Sequence, residues 1–265
     1  MPKTLILTRP RPQALEWAGR MGTLGVQTQV LPLIAIQPAA DEAQVQRAWE
    51  CLPQAALAMF ASPNAVQHFF QARPRAWKTG WPDGTLAACV GPGSAKALQD
   101  AGVPAAQIRQ PAADAASLDS EHLWAQLQGE RWDGRLIVML RGDGGRDWLA
   151  EQFRARGAEV RPFNVYRRAC PVWDAAELAL FQRALLDSTG FVWLFSSAEA
   201  IGYLRQLAPP GTHWSSSAAI ATHARIAQAA RSLGFIHVVL TRPDAPAVAQ
   251  AVQALSERPL QSFAP

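Results

Sequence analysis

The stretch from Arg135 to Arg168 changes period three times, which narrows sharply the folds open to this chain. Leu136 to Leu140 is an apolar, β-branched-rich run of buried-strand length. The Gly-rich turn Arg141-Gly142-Asp143-Gly144-Gly145-Arg146 follows. Trp148, Leu149, Gln152 and Phe153 then recur at helical spacing until Gly157 supplies a stop, and from Val160 the chain is extended again. Strand, turn, helix and strand in this order make half of a parallel α/β layer. Ligands of such layers meet the carboxyl ends of the strands, here the Arg141 turn.

The chain opens with a copy of this unit. Leu5-Ile6-Leu7-Thr8-Arg9-Pro10 is a strand ending in an arginine, Leu15, Trp17, Ala18 and Met21 form a helical stripe, and Gly25 stands where Gly157 stands. A second pair sets Met59-Phe60-Ala61-Ser62-Pro63-Asn64-Ala65-Val66 against Leu194-Phe195-Ser196-Ser197-Ala198-Glu199-Ala200-Ile201. A third, weaker pair sets Ala88 to Ala95 (ACVGPGSA) against Ala219 to Ala224 (AIATHA). The repeat is far too long for a solenoid, so it implies two similar domains.

A chain of 265 residues accommodates two cores of ordinary size. With 49% hydrophobic and 17% charged residues, it has the composition of a globular, soluble chain. A net charge of +4 suits an anionic small-molecule partner and is too small to demand nucleic acid. All cationic residues except Lys3, Lys78 and Lys96 are arginines. That bias fits recognition of carboxylate or phosphate by planar forks, and a GC-rich genome produces the same bias without function. Cys51, Cys89 and Cys170 are odd in number and far apart, matching neither a disulfide framework nor a zinc motif. No apolar run approaches membrane-spanning length and the first residues lack a signal-peptide pattern, so the expected compartment is the cytoplasm, with no membrane partner.

Along the chain, Val30 to Pro38 reads as one extended segment, marked by Pro32 and Pro38 as an edge or connecting strand. Helices are expected over 41–52, 65–72, 120–127, 174–187 and 246–255, and one begins at Ser197, with Leu178, Phe181, Leu185 and Leu186 as the core stripe of the fourth. Gly91-Pro92-Gly93-Ser94 opens another helix, Thr222 opens an Ala-rich one stopped by Gly234, and the tail from Arg258 is expected to fray. The repeat permits a tandem cut near residue 130. It also permits a discontinuous division, in which Val30 to Pro38 and Val160 to Pro171 are paired connectors, and the prolines at the matching point of each copy favour this second division.

The series LILTRPRPQA, FASPNAV, VGPGSAKAL, LRGDGGRDWLAEQFRARGAEV, NVYRR and FSSAEAI spans nearly the whole chain and resembles the uroporphyrinogen-III synthase family. The resemblance implies an α/β fold of two similar parallel-sheet domains joined by a two-stranded connector, with a ligand cleft between them. It therefore favours the discontinuous division, with 1–37 and 169–265 as one domain and 38–168 as the other. It implies closure of the linear tetrapyrrole hydroxymethylbilane to uroporphyrinogen III: loss of the terminal hydroxyl, attack of the cation through a spiro intermediate, and inversion of the last ring. No metal or organic cofactor is implied, and the expected form is a monomer. The rival class is a two-domain clamp that binds a tetrapyrrole-like anion without turning it over. A nucleotide-dependent transferase ranks third, because the Arg141 turn lacks both the G-x-G-x-x-G spacing and the Lys-Ser/Thr of a phosphate loop.

By the resemblance, Tyr166 matches the family's tyrosine at the return connector, where it assists loss of the hydroxyl; phenols hold their proton at neutral pH and can donate it. Tyr166 equally fits a half-buried strand residue with a local partner. Ser62, Ser94, Ser197 and Thr222 stand at expected helix starts, where backbone N–H groups make anion sites, and the same positions suit simple capping. Arg9 and Arg141 end equivalent strands and suit either substrate carboxylates or a structural clamp with an acidic neighbour. Ala61, Ala221 and His223 depart from the family's turns; His223 reads as an exposed cap and Arg146 as a solvated charge.

Overall fold

The computed structural model describes residues 2–112, 114, 115, 117, 119–144 and 147–257. Arg146 and the tail from Arg258 lie outside the described residues. The chain runs through β1 (Thr4–Leu7), α1 (Arg11–Thr23), β2 (Thr28–Val30), β3 (Ala35–Pro38), α2 (Glu42–Cys51), β4 (Ala55–Phe60), α3 (Pro63–Gln71), β5 (Leu86–Cys89), α4 (Pro92–Asp100) and β6 (Ile108–Arg109). It continues with α5 (Ser120–Leu127), β7 (Leu136–Gly142), α6 (Trp148–Ala155), β8 (Glu159–Ala169), α7 (Ala175–Leu186), β9 (Phe191–Phe195), α8 (Ala198–Leu207), β10 (Ala218–Ala221), α9 (Ala224–Leu233), β11 (His237–Leu240) and α10 (Ala245–Glu257). These elements make two compact units, Met1–Ala35 with Ala169–Pro265 and Ile36–Arg168.

The unit holding both termini has a sheet of order β11-β10-β9-β1-β2, and all of its neighbouring strands run parallel. In the other unit the order is β3-β8-β7-β4-β5-β6, with β8-β7-β4-β5-β6 parallel. The internal repeat has its physical meaning here. β1 with its arginine lies between β9 and β2, as β7 with its arginine lies between β4 and β8, while β9-β10-β11 answers β4-β5-β6. Parallel strands buried on both faces must be apolar throughout, and β4 (AALAMF) and β10 (AAIA) are buried at every position. One face of the second sheet packs under Trp49, Phe69 and Leu98, the other under Trp124, Trp132 and Phe153.

Gly25 and Gly157 both adopt left-handed φ, +73° and +79°, which accounts for their equivalent places after α1 and α6. Val30 to Pro38 is not one strand. Leu31 and Leu33 N–H groups donate to Leu7 and Thr8 carbonyls, Pro32 between them has no N–H, and pairing with the second sheet begins only at Ala35. The core stripe of α7 is also not the one expected: Leu180, Phe181 and Ala184 are buried, whereas Leu178 and Leu186 are 46% and 89% exposed. In a helix apolar nearly all round, the partners choose the face, and Phe181 packs on Trp173 and Trp193. Leu15, placed in the apolar stripe of α1, is 55% exposed because Ala14, Trp17 and Met21 take the inner face.

Candidate functional site

In each sheet the chain leaves two neighbouring strands in opposite directions. From β4 it moves outward to β5 and β6, and from β7 outward the other way to β8, so the crevice past the carboxyl ends of β4 and β7 is a topological switch point. Ala61 N–H donates to Leu140 O at 3.0 Å and fixes the two ends together. A cavity of about 320 Å³ opens at this point, lined among others by Met59, Ser62, Met139, Arg141, Gly142 and Tyr166.

Tyr166 reaches the cavity through an irregularity in β8. Arg141 is opposite Asn164 but Gly142 is opposite Tyr166, so Val165 is the extra residue that breaks the alternation, and both Val165 and Tyr166 are buried. Such bulges re-aim a side chain. The residue is 3% exposed and its ring lies directly over Gly142, where a Cβ would stand 2.6 Å from Tyr166 Cζ. Its hydroxyl is hydrogen-bonded to Ser62 Oγ at 3.2 Å. The His68 ring, from α3, stacks on it at 5.9 Å and 26°, and the Arg168 guanidinium carbon lies 6.0 Å from the ring centre. Burial pushes the His68 imidazole below its ordinary pKa, which favours the neutral ring. Arg168 N–H in turn holds Asp143 at 2.9 Å, so the Gly-rich turn is tied to β8.

Ser62 caps α3 from an extended backbone, with Oγ accepting from Ala65 N–H at 3.2 Å and Pro63 at the first helical position. Arg141 pairs with Asp147, whose carboxylate makes no capping bond to α6, and the Arg141 Nε is buried without a hydrogen-bond partner among the described residues. At the rim of the cavity Asp119 caps α5. The backbone N–H of His122, its side chain at 2.6 Å and the Ser117 hydroxyl hold that carboxyl down to about 2.

The other unit repeats the arrangement without a phenol. At the β1/β9 switch point Thr8 Oγ1 donates to Leu194 O at 2.5 Å. Arg9 stacks over Trp17 at 4.3 Å with its Nε buried and unpartnered among the described residues, and burial pushes its guanidinium below the ordinary value. Ser197 caps α8, accepting from Glu199 N–H.

Ser62, Arg141 and Tyr166 thus come together in one cavity, and Arg9 and Ser197 take the equivalent place in the other sheet. Two expectations change. Ser94 is not a free donor at a helix start: Gly91 is the cap, and Ser94 lies in the first turn of α4, 3% exposed, with its N–H given to Gly91 O. Thr222 does not begin α9, because its N–H donates to Phe195 O and the exposed His223 takes the cap, its Nδ1 accepting from Arg225 N–H. Sequence reasoning passed over His68, Asp119 and the close approach at Gly142. Only Gly142 left a signal, as a glycine right after the arginine of a strand.

A family model described as uroporphyrinogen-III synthase HemD matches residues 16–250. The uroporphyrinogen-III synthase of Escherichia coli (strain K12) is 28% identical over 254 residues, covering 94% of this chain and all of that protein. The one from Salmonella typhimurium is 29% identical over 257 residues, with 94% and 100% covered. Among solved structures, a mutant uroporphyrinogen III synthase from the extremely thermophilic bacterium Thermus thermophilus superposes with a TM-score of 0.57 at 18% identity, covering 96% of this chain and 99% of that one. The enzyme from Helicobacter pylori 26695 gives 0.56 at 16% identity, with 97% and 100% covered; these two likenesses concern the fold. A family match over most of the length, on paired parallel-sheet units with the repeat described above, shows that this chain belongs to the uroporphyrinogen-III synthase family, enzymes of the lyase class in porphyrin biosynthesis.

Proposed function

We propose that the synthase activity of this chain is carried by Tyr166 in the cavity at the β4/β7 switch point. The substrate is hydroxymethylbilane. The observation that supports the assignment is the setting of the phenol: of the two tyrosines in the sequence, Tyr203 bonds Glu199 on α8, whereas Tyr166 lies against a cavity with its hydroxyl bonded to Ser62. In this reading Tyr166 Oη–H donates to the terminal hydroxyl as the C–O bond breaks, so that the oxygen leaves as water and the carbon becomes the cation attacked by the last ring. The cavity volume suits one end of the substrate, leaving the acetate and propionate arms to donors outside it. Arg141 and Arg9, each with a buried Nε unpartnered among the described residues, are the carboxylate contacts, with Ser197 and Thr222 beside Arg9's switch point. The rest of the work is positioning of a flexible chain into one near-attack geometry.

The chain acts as a cytoplasmic monomer in this proposal. Free thiols at Cys51, Cys89 and Cys170 suit a reducing compartment, and each unit encloses a core of its own. The test is an assay with freshly generated hydroxymethylbilane that separates the type III product from the type I isomer formed spontaneously. Wild type is expected to yield mainly type III. Tyr166→Phe is expected to lower kcat by about a hundred-fold, the low end of what a positioned acid contributes, and by more than Ser62→Ala. The reverse order would remove Tyr166 from the role of principal acid.

A further inference from the structure

Ser62 has two tasks in the structure and neither of them faces outward. Its Oγ accepts the Ala65 N–H at 3.2 Å, closing the first turn of α3, and is hydrogen-bonded to Tyr166 Oη at 3.2 Å. A hydroxyl has one proton to give and two lone pairs with which to accept. When serine supplies the proton of the Ser62–Tyr166 contact, the phenol keeps its own for the cavity. The cavity is the side toward which it can point. The ring itself is fixed on other sides, by Gly142 across a distance that admits no Cβ and by the stacked His68 on the same helix that Ser62 caps. The helix start, the phenol and the turn after β7 therefore form one rigid assembly, as a reacting group requires.

From this geometry we infer that Ser62 is a positioning residue for Tyr166, setting the direction of its hydroxyl, and not a contact for the substrate's carboxylates. The inference rests on the assignment of Tyr166 as the acid. It also gives the helix cap a second purpose: α3 cannot fray at its first turn without releasing the phenol.

The test separates orientation from capping by a double-mutant cycle read in kcat, KM and melting temperature. Ser62→Ala is expected to lower kcat roughly two- to ten-fold, the worth of one neutral hydrogen bond, with KM unchanged. Ser62→Thr, which keeps the hydroxyl, is expected to restore kcat. Ser62→Asp keeps a capping acceptor for Ala65 N–H but brings no proton, so Tyr166 must donate inward; its melting temperature should stay near wild type while kcat falls at least as far as in Ser62→Ala. In a Tyr166→Phe background, Ser62→Ala should still lower the melting temperature yet cost no further kcat. An equal fold-loss of kcat in both backgrounds, or a rise in KM with kcat intact, overturns the inference and makes Ser62 a substrate contact. If Tyr166→Phe alone leaves kcat unchanged, it is the assignment of Tyr166 that fails, and the inference falls with it. Should Ser62→Ala not fold, the Ser62→Asp comparison decides by itself.

Discussion

Gly142 lacks a side chain because Tyr166 fills the space: the ring's Cζ, Cε2 and Oη all lie within 3.0 Å of where a Cβ would be. Gly142→Ala must push the ring out of its seat. It is expected to cost about 1–3 kcal/mol in stability by overpacking and to reduce kcat about as far as Tyr166→Phe, without adding to that variant's loss. Steady-state kinetics beside chemical denaturation would check both; a full kcat in Gly142→Ala would show that the ring's position is not critical. Arg9 is argued differently, since its guanidinium is already stacked on Trp17 and partly stripped of water. Arg9→Ala should raise KM with kcat nearly unchanged if it holds a substrate arm, whereas an unchanged KM and a lower melting temperature would mean that it serves only Trp17. Ser62, Arg141 and Tyr166 were legible in the sequence as strand-end and turn residues. That Ser62 shares one cavity with the other two was not, because its partner Tyr166 lies far away along the chain and only strand pairing brings them together.

At the scale of elements, caps and strand ends were the readable part. Asp41, Ser62, Asp174 and Ser197 cap the helices that their spacing announces, and Asp174 completes a capping box with Glu177. Asp119 gives this a pH signature. Its carboxyl is held at about 2, below the usual unfolded value of roughly 3.9, so its contribution is present in full above the unfolded value and is lost as pH falls through about 2. Asp119→Ala should therefore lower the melting temperature at neutral pH, and the difference from wild type should shrink between about pH 4 and pH 2 and vanish below it. A difference that persists undiminished at the acid end would show that the carboxylate is not its cause. The buried face of α7 differs from the expected one for a reason that holds generally. In Ala-Glu-Leu-Ala-Leu-Phe-Gln-Arg-Ala-Leu-Leu, two apolar stripes share Phe181, and only the position of Trp193 on β9 chooses between them.

For the whole molecule, the two units enclose separate cores. Trp49 stacks on Phe69 at 4.1 Å in one, and Trp193 meets Trp214 edge-on at 5.7 Å in the other. Thermal unfolding should depart from two-state behaviour, with a van't Hoff enthalpy below the calorimetric one. Trp49→Ala and Trp193→Ala, each costing about 3–5 kcal/mol, should remove hydrogen-exchange protection from β4 and β5 in the first case and from β1 and β9 in the second. A single coincident transition that both substitutions shift alike would refute separate folding units. What the sequence determined by itself was the repeat, the alternation of buried strands with amphipathic helices, and the arginine turns at the carboxyl ends of β1 and β7. Those follow from local rules of period, capping and turn chemistry that each segment obeys alone. Only the tertiary structure decided how the copies are shared out: β1 and β2 join β9, β10 and β11, while β4, β5 and β6 join β7 and β8, so each sheet is assembled from both halves of the chain. Strand pairing depends on burial between segments far apart in sequence, and the two copies carry nearly the same apolar pattern, so periodicity cannot choose among partners of equal hydrophobicity. The same long-range pairing, with one extra residue at Val165, brings Tyr166 over Gly142 and within reach of Ser62.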